Sequence, residues 1–294
     1  MSAIRPRRSV LYMPGANERA LEKAKTLPAD SLILDLEDAV APEAKAEARD
    51  RVCAAVKAGG YGPRELVIRI NGLDTEWGEA DLEAAVAAKP DAILAPKVTR
   101  ARDIEILEAA LHGAQASPQL QLWIMIETPL AILNLREIAA AGIDTHLTAF
   151  VMGTNDLIKD FRADPLPDRS NLATTLTLSV AAARSHDYLI FDGVFNDIAD
   201  AEGFAAEARQ GKAFGFDGKT LIHPSQVGPC NNIFAPPPAA VEQARAVIAA
   251  FADPANAGKG VLKVNGKMTE LLHLAQAKRM VAVAEAIAKR EAAQ

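Results

Sequence analysis

Short apolar runs return eight times along this chain, each separated from the next by a longer alanine-rich segment, and that alternation leaves few folds open. The runs read as strands are Ser9–Met13, Leu32–Leu36, Leu66–Ile70, Ala92–Pro96, Leu120–Ile126, Leu147–Met152, Tyr188–Val194 and Phe216–Ile222. Several are apolar nearly throughout, as parallel strands are when helices cover them. Helical stretches fall between them, among them Glu18–Lys25, Pro42–Ala58, Trp77–Ala87, Ala101–Leu111 and Ile132–Ala140. Eight such units without a long linker predict an α/β fold of the (β/α)₈ TIM-barrel type rather than a doubly wound sheet. The GxGxxG of a dinucleotide fold does not follow the first run.

The last sixty residues break the pattern. Pro236-Pro237-Pro238 ends it, a helix is expected from Ala239 to about Ala252, and a looser segment over 253–266 carries four Gly or Pro. A final helix is expected from about Lys267 to Ala293. The division is therefore a barrel over 1–235 and a C-terminal helical extension over 236–294. Two uses of the extension stay open: a lid or arm reaching a neighbouring subunit, or an ordinary closing helix.

A net charge of −6 argues against a nucleic acid or an anionic membrane surface as the main partner. No segment approaches the roughly 20 apolar residues of a membrane span, and the basic start MSAIRPRRSV lacks the apolar stretch of a cleaved signal. The two cysteines, Cys53 and Cys230, are far apart and belong to no CxxC pair, so buried thiols in a reducing cytoplasm are expected.

In a barrel of this kind, chemistry gathers where strands end and βα loops begin. The expected strand ends carry Met13-Pro14-Gly15, Asp35-Leu36-Glu37-Asp38, Arg69-Ile70-Asn71, Pro96-Lys97, Glu127-Thr128-Pro129, Gly153-Thr154-Asn155-Asp156 and His223-Pro224. Glu127 emerges straight from a buried strand, where an unpaired charge is costly and needs a cation or hydrogen-bonded partner. Asp156 arises one βα unit later. Two neighbouring carboxylates can share a hard divalent ion, and Mg²⁺ suits them better than zinc because no His or Cys accompanies them. A salt-bridge network with Arg69 and Lys97 is an equal alternative on the residues alone. Arg69 suits an enolate or carboxylate oxygen pair, with an ion pair to Glu37 or Asp38 as its structural alternative. Glu37 and Asp38 are expected to orient Arg69 or hold metal-bound water. Lys97 raises a Schiff-base mechanism, and an electrostatic role is preferred there. His223 is expected mainly to set its loop.

Taken in order, RSVLYMPGANERALEKA (8–24), LILDLEDAVAPEAKAEAR (32–49), VIRING (67–72), ILAPKV (93–98), WIMIETPLAILNLREIA (123–139), VMGTNDL (151–157) and FGFDGKTLIHPSQV (214–227) resemble the HpcH/HpaI aldolase and citrate lyase β-subunit superfamily. The likeness is greatest to its CitE-like branch and spans essentially the whole chain. It implies a TIM barrel, Mg²⁺ held by Glu127 and Asp156, and enolate stabilisation by Arg69. Tyr12 and Lys23 match positions that help to hold CoA in malyl-CoA lyases, and Gly153 is expected against the substrate. A homotrimer or hexamer is implied. Two departures stand out. Relatives often carry a basic residue where this chain has Asn17, with Arg19 placed to take over a CoA phosphate contact. The lid motif Gly-Lys-Met-x-Asp reads Gly266-Lys267-Met268-Thr269-Glu270 here, so Glu270 replaces the aspartate that acts as acid in a neighbouring subunit's site.

The resemblance implies reversible cleavage of a short β-hydroxyacyl-CoA such as malyl-CoA or citramalyl-CoA into acetyl-CoA and a 2-oxo acid. The alternatives are a malyl-CoA-type thioesterase, in which water attacks the thioester, and a citrate lyase β-subunit acting on a carrier-protein-bound citryl group. The Pro-rich loop Arg162–Ser170 is the expected specificity element.

Overall fold

The computed structural model describes residues 4–293. Eight parallel strands close into a barrel in chain order: β1 (Ser9–Pro14), β2 (Ser31–Asp35), β3 (Glu65–Arg69), β4 (Ala92–Ala95), β5 (Gln121–Ile126), β6 (Leu147–Met152), β7 (Leu189–Asp192) and β8 (Gly218–Leu221), with β8 returning to β1. The expected (β/α)₈ barrel is the observed fold, and each apolar run overlaps its strand with ends that agree to within two residues.

Side-chain parity along the strands sorts the barrel into two environments. Val10, Ile33, Val67, Leu94, Trp123, Met125, Val151 and Phe191 pack together as the inner core. Trp123 and Phe191 meet there with ring centroids 4.9 Å apart. Their strand neighbours Leu11, Leu34, Ile68, Ile93, Ile124, Phe150 and Ile190 face outward into the larger core beneath the helices. A residue two positions beyond an inner core residue therefore points into the barrel mouth. That rule delivers Tyr12, Asp35, Arg69, Glu127 and Gly153 to the C-terminal rim.

Residues 7–234 form one compact unit, and residues 235–293 together with 4–6 form another. The second unit has its own small core of Ala244, Val247, Leu262, Val264, Ala277 and Val281. Here the structure corrects the expected boundaries. Val261–Val264 and Lys267–Glu270 pair as an antiparallel hairpin, β9 and β10, and the final helix runs only from Leu271 to Glu291. Asn265-Gly266 makes the turn with φ of 47° and 82°, the left-handed pair that an Asn-Gly two-residue hairpin favours. Among the described residues no helix is long and apolar enough to cross a membrane.

Candidate active site

Arg69 is the hub of the rim. Its Nε and Nη2 donate to the two oxygens of Asp35, both at 2.6 Å, a bidentate pair that fixes the guanidinium plane. Nη1 lies 2.7 Å from Glu37 Oε2 and 3.6 Å from Asp38. The Tyr12 ring covers the guanidinium face at 4.9 Å, a cation–π contact. Burial pushes the Tyr12 phenol up, so it stays protonated. Asp35 also accepts from the backbone N–H groups of Glu37 and Ala39, at 2.9 and 3.1 Å, so one carboxylate sets both Arg69 and the acidic loop after β2. Asp35, which the sequence places at the end of the second strand without a role, proves to be a central site residue. Parity reveals it: it lies two residues beyond Ile33 and opposite Arg69 in the β2–β3 register.

Glu37 is held from both sides. Lys97 Nζ donates to its Oε1 at 2.9 Å. Beneath it, buried Lys45 donates to the carbonyls of Leu36 and Glu37 at 3.0 and 2.9 Å and to Asn71 Oδ1 at 2.7 Å. Burial pushes the Glu37 carboxyl up, against the pull of Arg69 and Lys97. The hydrogen bond to Glu37 raises Lys97, which keeps that amine protonated and unsuited to the Schiff-base role.

Glu127 follows β5 with 1% exposure. Its Oε1 accepts from the backbone N–H of Lys97 at 2.7 Å. Lys97 achieves this with φ of 55°, a left-handed conformation unusual for a residue with a side chain. On the other side Gly153 presses against the Glu127 carboxylate: a Cβ there would stand 2.6 Å from Oε2, so only glycine fits. Burial, then the Glu37 and Asp156 carboxylates, push the Glu127 carboxyl up to about 7. Asp156 sits in the first turn of the helix Thr154–Phe161 that Gly153 begins, more open to solvent and bonded to Lys159 Nζ at 2.7 Å.

Among the described residues no group of three or more His, Cys, Asp or Glu side chains is arranged to hold a metal ion. The two carboxylates nevertheless suit a hard, water-retaining cation. A buried carboxylate whose ionised form its carboxylate neighbours disfavour is the arrangement a divalent ion reverses, and oxygen donors with open positions match Mg²⁺.

A cavity of about 330 Å³ opens among Tyr12, Asp38, Arg69, Met125, Gly153 and Asp156, with Met152, Val194 and Ile222 on its apolar wall. Half of the expected site residues line it, Tyr12, Asp38, Arg69, Gly153 and Asp156, while Glu37 and Glu127 lie beside it, buried behind Arg69 and Gly153. Arg19 and Lys23 are absent from its lining; they lie one turn apart and exposed on the helix Glu18–Ala24. Glu270 belongs to the other unit, where it caps the final helix and its backbone N–H donates to His273 Nδ1 at 3.0 Å. His223 accepts from Ser225 N–H at 3.2 Å and caps the short helix Pro224–Gln226, a loop-setting contact.

The HpcH/HpaI aldolase/citrate lyase family model matches residues 8–224. A protein named (3S)-malyl-CoA thioesterase from Cereibacter sphaeroides (strain KD131) is 50% identical over 283 residues, covering 96% of each chain. The citrate lyase subunit beta of Escherichia coli (strain K12) is 37% identical over 271 residues, 90% of this chain and 89% of that one. Among solved structures, CitE from Mycobacterium tuberculosis in complex with magnesium, acetoacetate and coenzyme A superposes with a TM-score of 0.74 at 28% identity, over 94% of this chain and 97% of that one. The chain belongs to the HpcH/HpaI aldolase/citrate lyase family.

Proposed function

We propose that this enzyme hydrolyses the thioester of a short carboxylated acyl-CoA, (3S)-malyl-CoA, to malate and free CoA in a Mg²⁺-dependent reaction. The near-full-length 50% identity to proteins that carry that activity in their name is the observation that carries it. It shifts the emphasis from carbon–carbon cleavage, the reaction first expected, to its thioesterase alternative.

Glu127 and Asp156 would hold the ion. Bound there, Mg²⁺ supplies positive charge for the carboxylate and hydroxyl oxygens of the malyl group. Arg69, locked by Asp35 and backed by Tyr12, sets a permanent charge beside the thioester carbonyl, where negative charge develops as water adds. Asp38 lines the cavity with its carboxylate exposed, placed to take the proton of the attacking water. Collapse of the adduct breaks the C–S bond, and the proton held by Asp38 passes to the leaving sulfur, releasing CoA as the thiol. Met125, Met152, Val194 and Ile222 keep bulk water from the acyl chain. Arg19 and Lys23 offer two exposed cations for CoA phosphates. Glu270 is proposed as a lid carboxylate delivered by a neighbouring copy in a homotrimer or hexamer.

Carbon–carbon cleavage remains the second reading, and the Arg69–Asp35 pair over an apolar wall favours it, because the same charge stabilises an enolate. Incubation with Mg²⁺ and (3S)-malyl-CoA, with CoA, acetyl-CoA, malate and glyoxylate followed by chromatography, separates the two. The expected products are malate and CoA, lost with EDTA and in Glu127→Ala. Acetyl-CoA with glyoxylate makes the enzyme a lyase instead. Absence of all four products removes malyl-CoA as the substrate.

A further inference from the structure

Behind the rim, on the outward face of β7 and β8, lies a buried charge cluster that the reaction does not use directly. Asp192 and Lys219 pair in register across the two strands, and both are fully buried. Lys219 Nζ donates to Asp192 Oδ2 at 3.3 Å, to Glu207 Oε1 at 2.6 Å and to the backbone carbonyl of Gly193. Arg169, at the end of the loop 162–170, donates from Nη1 to Asp192 Oδ1 at 2.7 Å and from Nε to Gln210 at 2.9 Å. Arg169 is buried with φ of 49°, so this anchor is held against a backbone preference. Asp192 Oδ1 in turn accepts the N–H of Gly193 at 2.9 Å.

The consequence falls on Gly193. Its N–H is held by Asp192 and its C=O by Lys219, so its position is fixed from behind. In front it touches Thr154 with no room to spare: a Cβ on Gly193 would stand 2.3 Å from Thr154 Oγ1 and 2.7 Å from its Cγ2. Thr154 opens the helix that carries Asp156, two residues on.

We propose that Arg169, Asp192 and Lys219 are positioning residues that clamp Gly193 against Thr154 and so set where Asp156 sits in the metal site. The clamp also ties the loop 162–170 to that carboxylate through the Arg169–Asp192 pair. The proposal rests on Asp156 being a metal ligand, as in the proposed function.

Mn²⁺ binding to the substrate-free full-length protein, read by electron paramagnetic resonance of the free ion, tests it without reference to turnover. Gly193→Ala is expected to weaken Mn²⁺ binding about tenfold, as changes behind a ligand shell do. Thr154→Ala placed on top of Gly193→Ala removes the two shortest contacts, leaving the residue 154 Cβ at 3.0 Å, and is expected to restore affinity to within about threefold of the parent, a coupling that general loss of stability does not produce. Far-UV circular dichroism confirms folding. Should Gly193→Ala fail to fold, Arg169→Gln carries the test with an expected loss in the same direction, because it loosens Asp192 without adding a Cβ. Parent-like Mn²⁺ affinity in Gly193→Ala overturns the clamp, as does a loss that Thr154→Ala leaves uncorrected. Asp156→Ala separates the two layers. If it loses Mn²⁺ while Gly193→Ala keeps it, the clamp alone is wrong; if it binds like the parent, Asp156 is no ligand and both ideas fall.

Discussion

Burial of Glu127 beside Glu37 and Asp156 makes its ionised form costly until a cation arrives, and protons compete with that cation for the same oxygens. With its carboxyl pushed up to about 7 in the ion-free protein, Mg²⁺ affinity falls as pH drops below that value, measurable by calorimetric titration across pH 5.5 to 8.5. The sign for stability follows. A carboxyl raised from its ordinary 4.5 favours the folded state below 4.5, and that advantage is lost as pH rises toward 7. Mg²⁺ therefore raises the Tm more at pH 8 than at pH 5.5; equal shifts at both values contradict this assignment. Arg69→Met tests the other pole of the site. It strands Asp35 as a buried charge, and denaturant titration is expected to show a loss of about 3–5 kcal/mol. Lys97 contributes to Glu127 through its backbone N–H, so Lys97→Gly keeps metal binding while removing the bond to Glu37. Borohydride treatment in the presence of glyoxylate is expected to leave Lys97 unmodified, since its raised pKa keeps the amine protonated.

The strands were the most legible elements, because a parallel strand buried on both faces leaves a short apolar run that little else in the chain imitates. The rim residues were legible for a related reason. Glu127 and Arg69 are charges attached to apolar runs, and such charges demand an explanation. Asp35 is hard to single out from Glu37 and Asp38 in the same acidic stretch, because its bidentate hold on Arg69 depends on the β2–β3 register that sets the two residues opposite each other. The hairpin Val261–Glu270 is not legible from the sequence, because its four-residue strands are too short to show a period and Asn265-Gly266 also fits an ordinary loop. The Asp192–Lys219 pair could not be read from the sequence. Its meaning depends on β7 and β8 lying in register and on Glu207 returning from the following helix. Within the barrel, the inner layer is where large side chains carry most of the packing. Trp123→Ala removes the partner of Phe191 from a site with no exposure and is expected to cost about 3–5 kcal/mol of unfolding free energy.

At the scale of the whole molecule, the chain combines a catalytic barrel with a second unit that has its own core, and the proposed chemistry is concentrated on the barrel rim. Both cysteines are free and buried, and burial pushes the Cys230 thiol up to about 12. Thiol reagents at pH 8 are therefore expected to leave Cys230 unreacted in the native protein and to label it only after denaturation. The family is shared by proteins named for thioester hydrolysis and for citrate cleavage, so the fold does not choose the bond that breaks. The most direct test of that choice is the mass of the malate formed from (3S)-malyl-CoA in water enriched in oxygen-18. Hydrolysis at the Mg²⁺-loaded site predicts malate carrying one solvent oxygen for each CoA released, and neither product in Glu127→Ala. Acetyl-CoA and glyoxylate in place of labelled malate contradict the account and make this rim a carbon–carbon lyase.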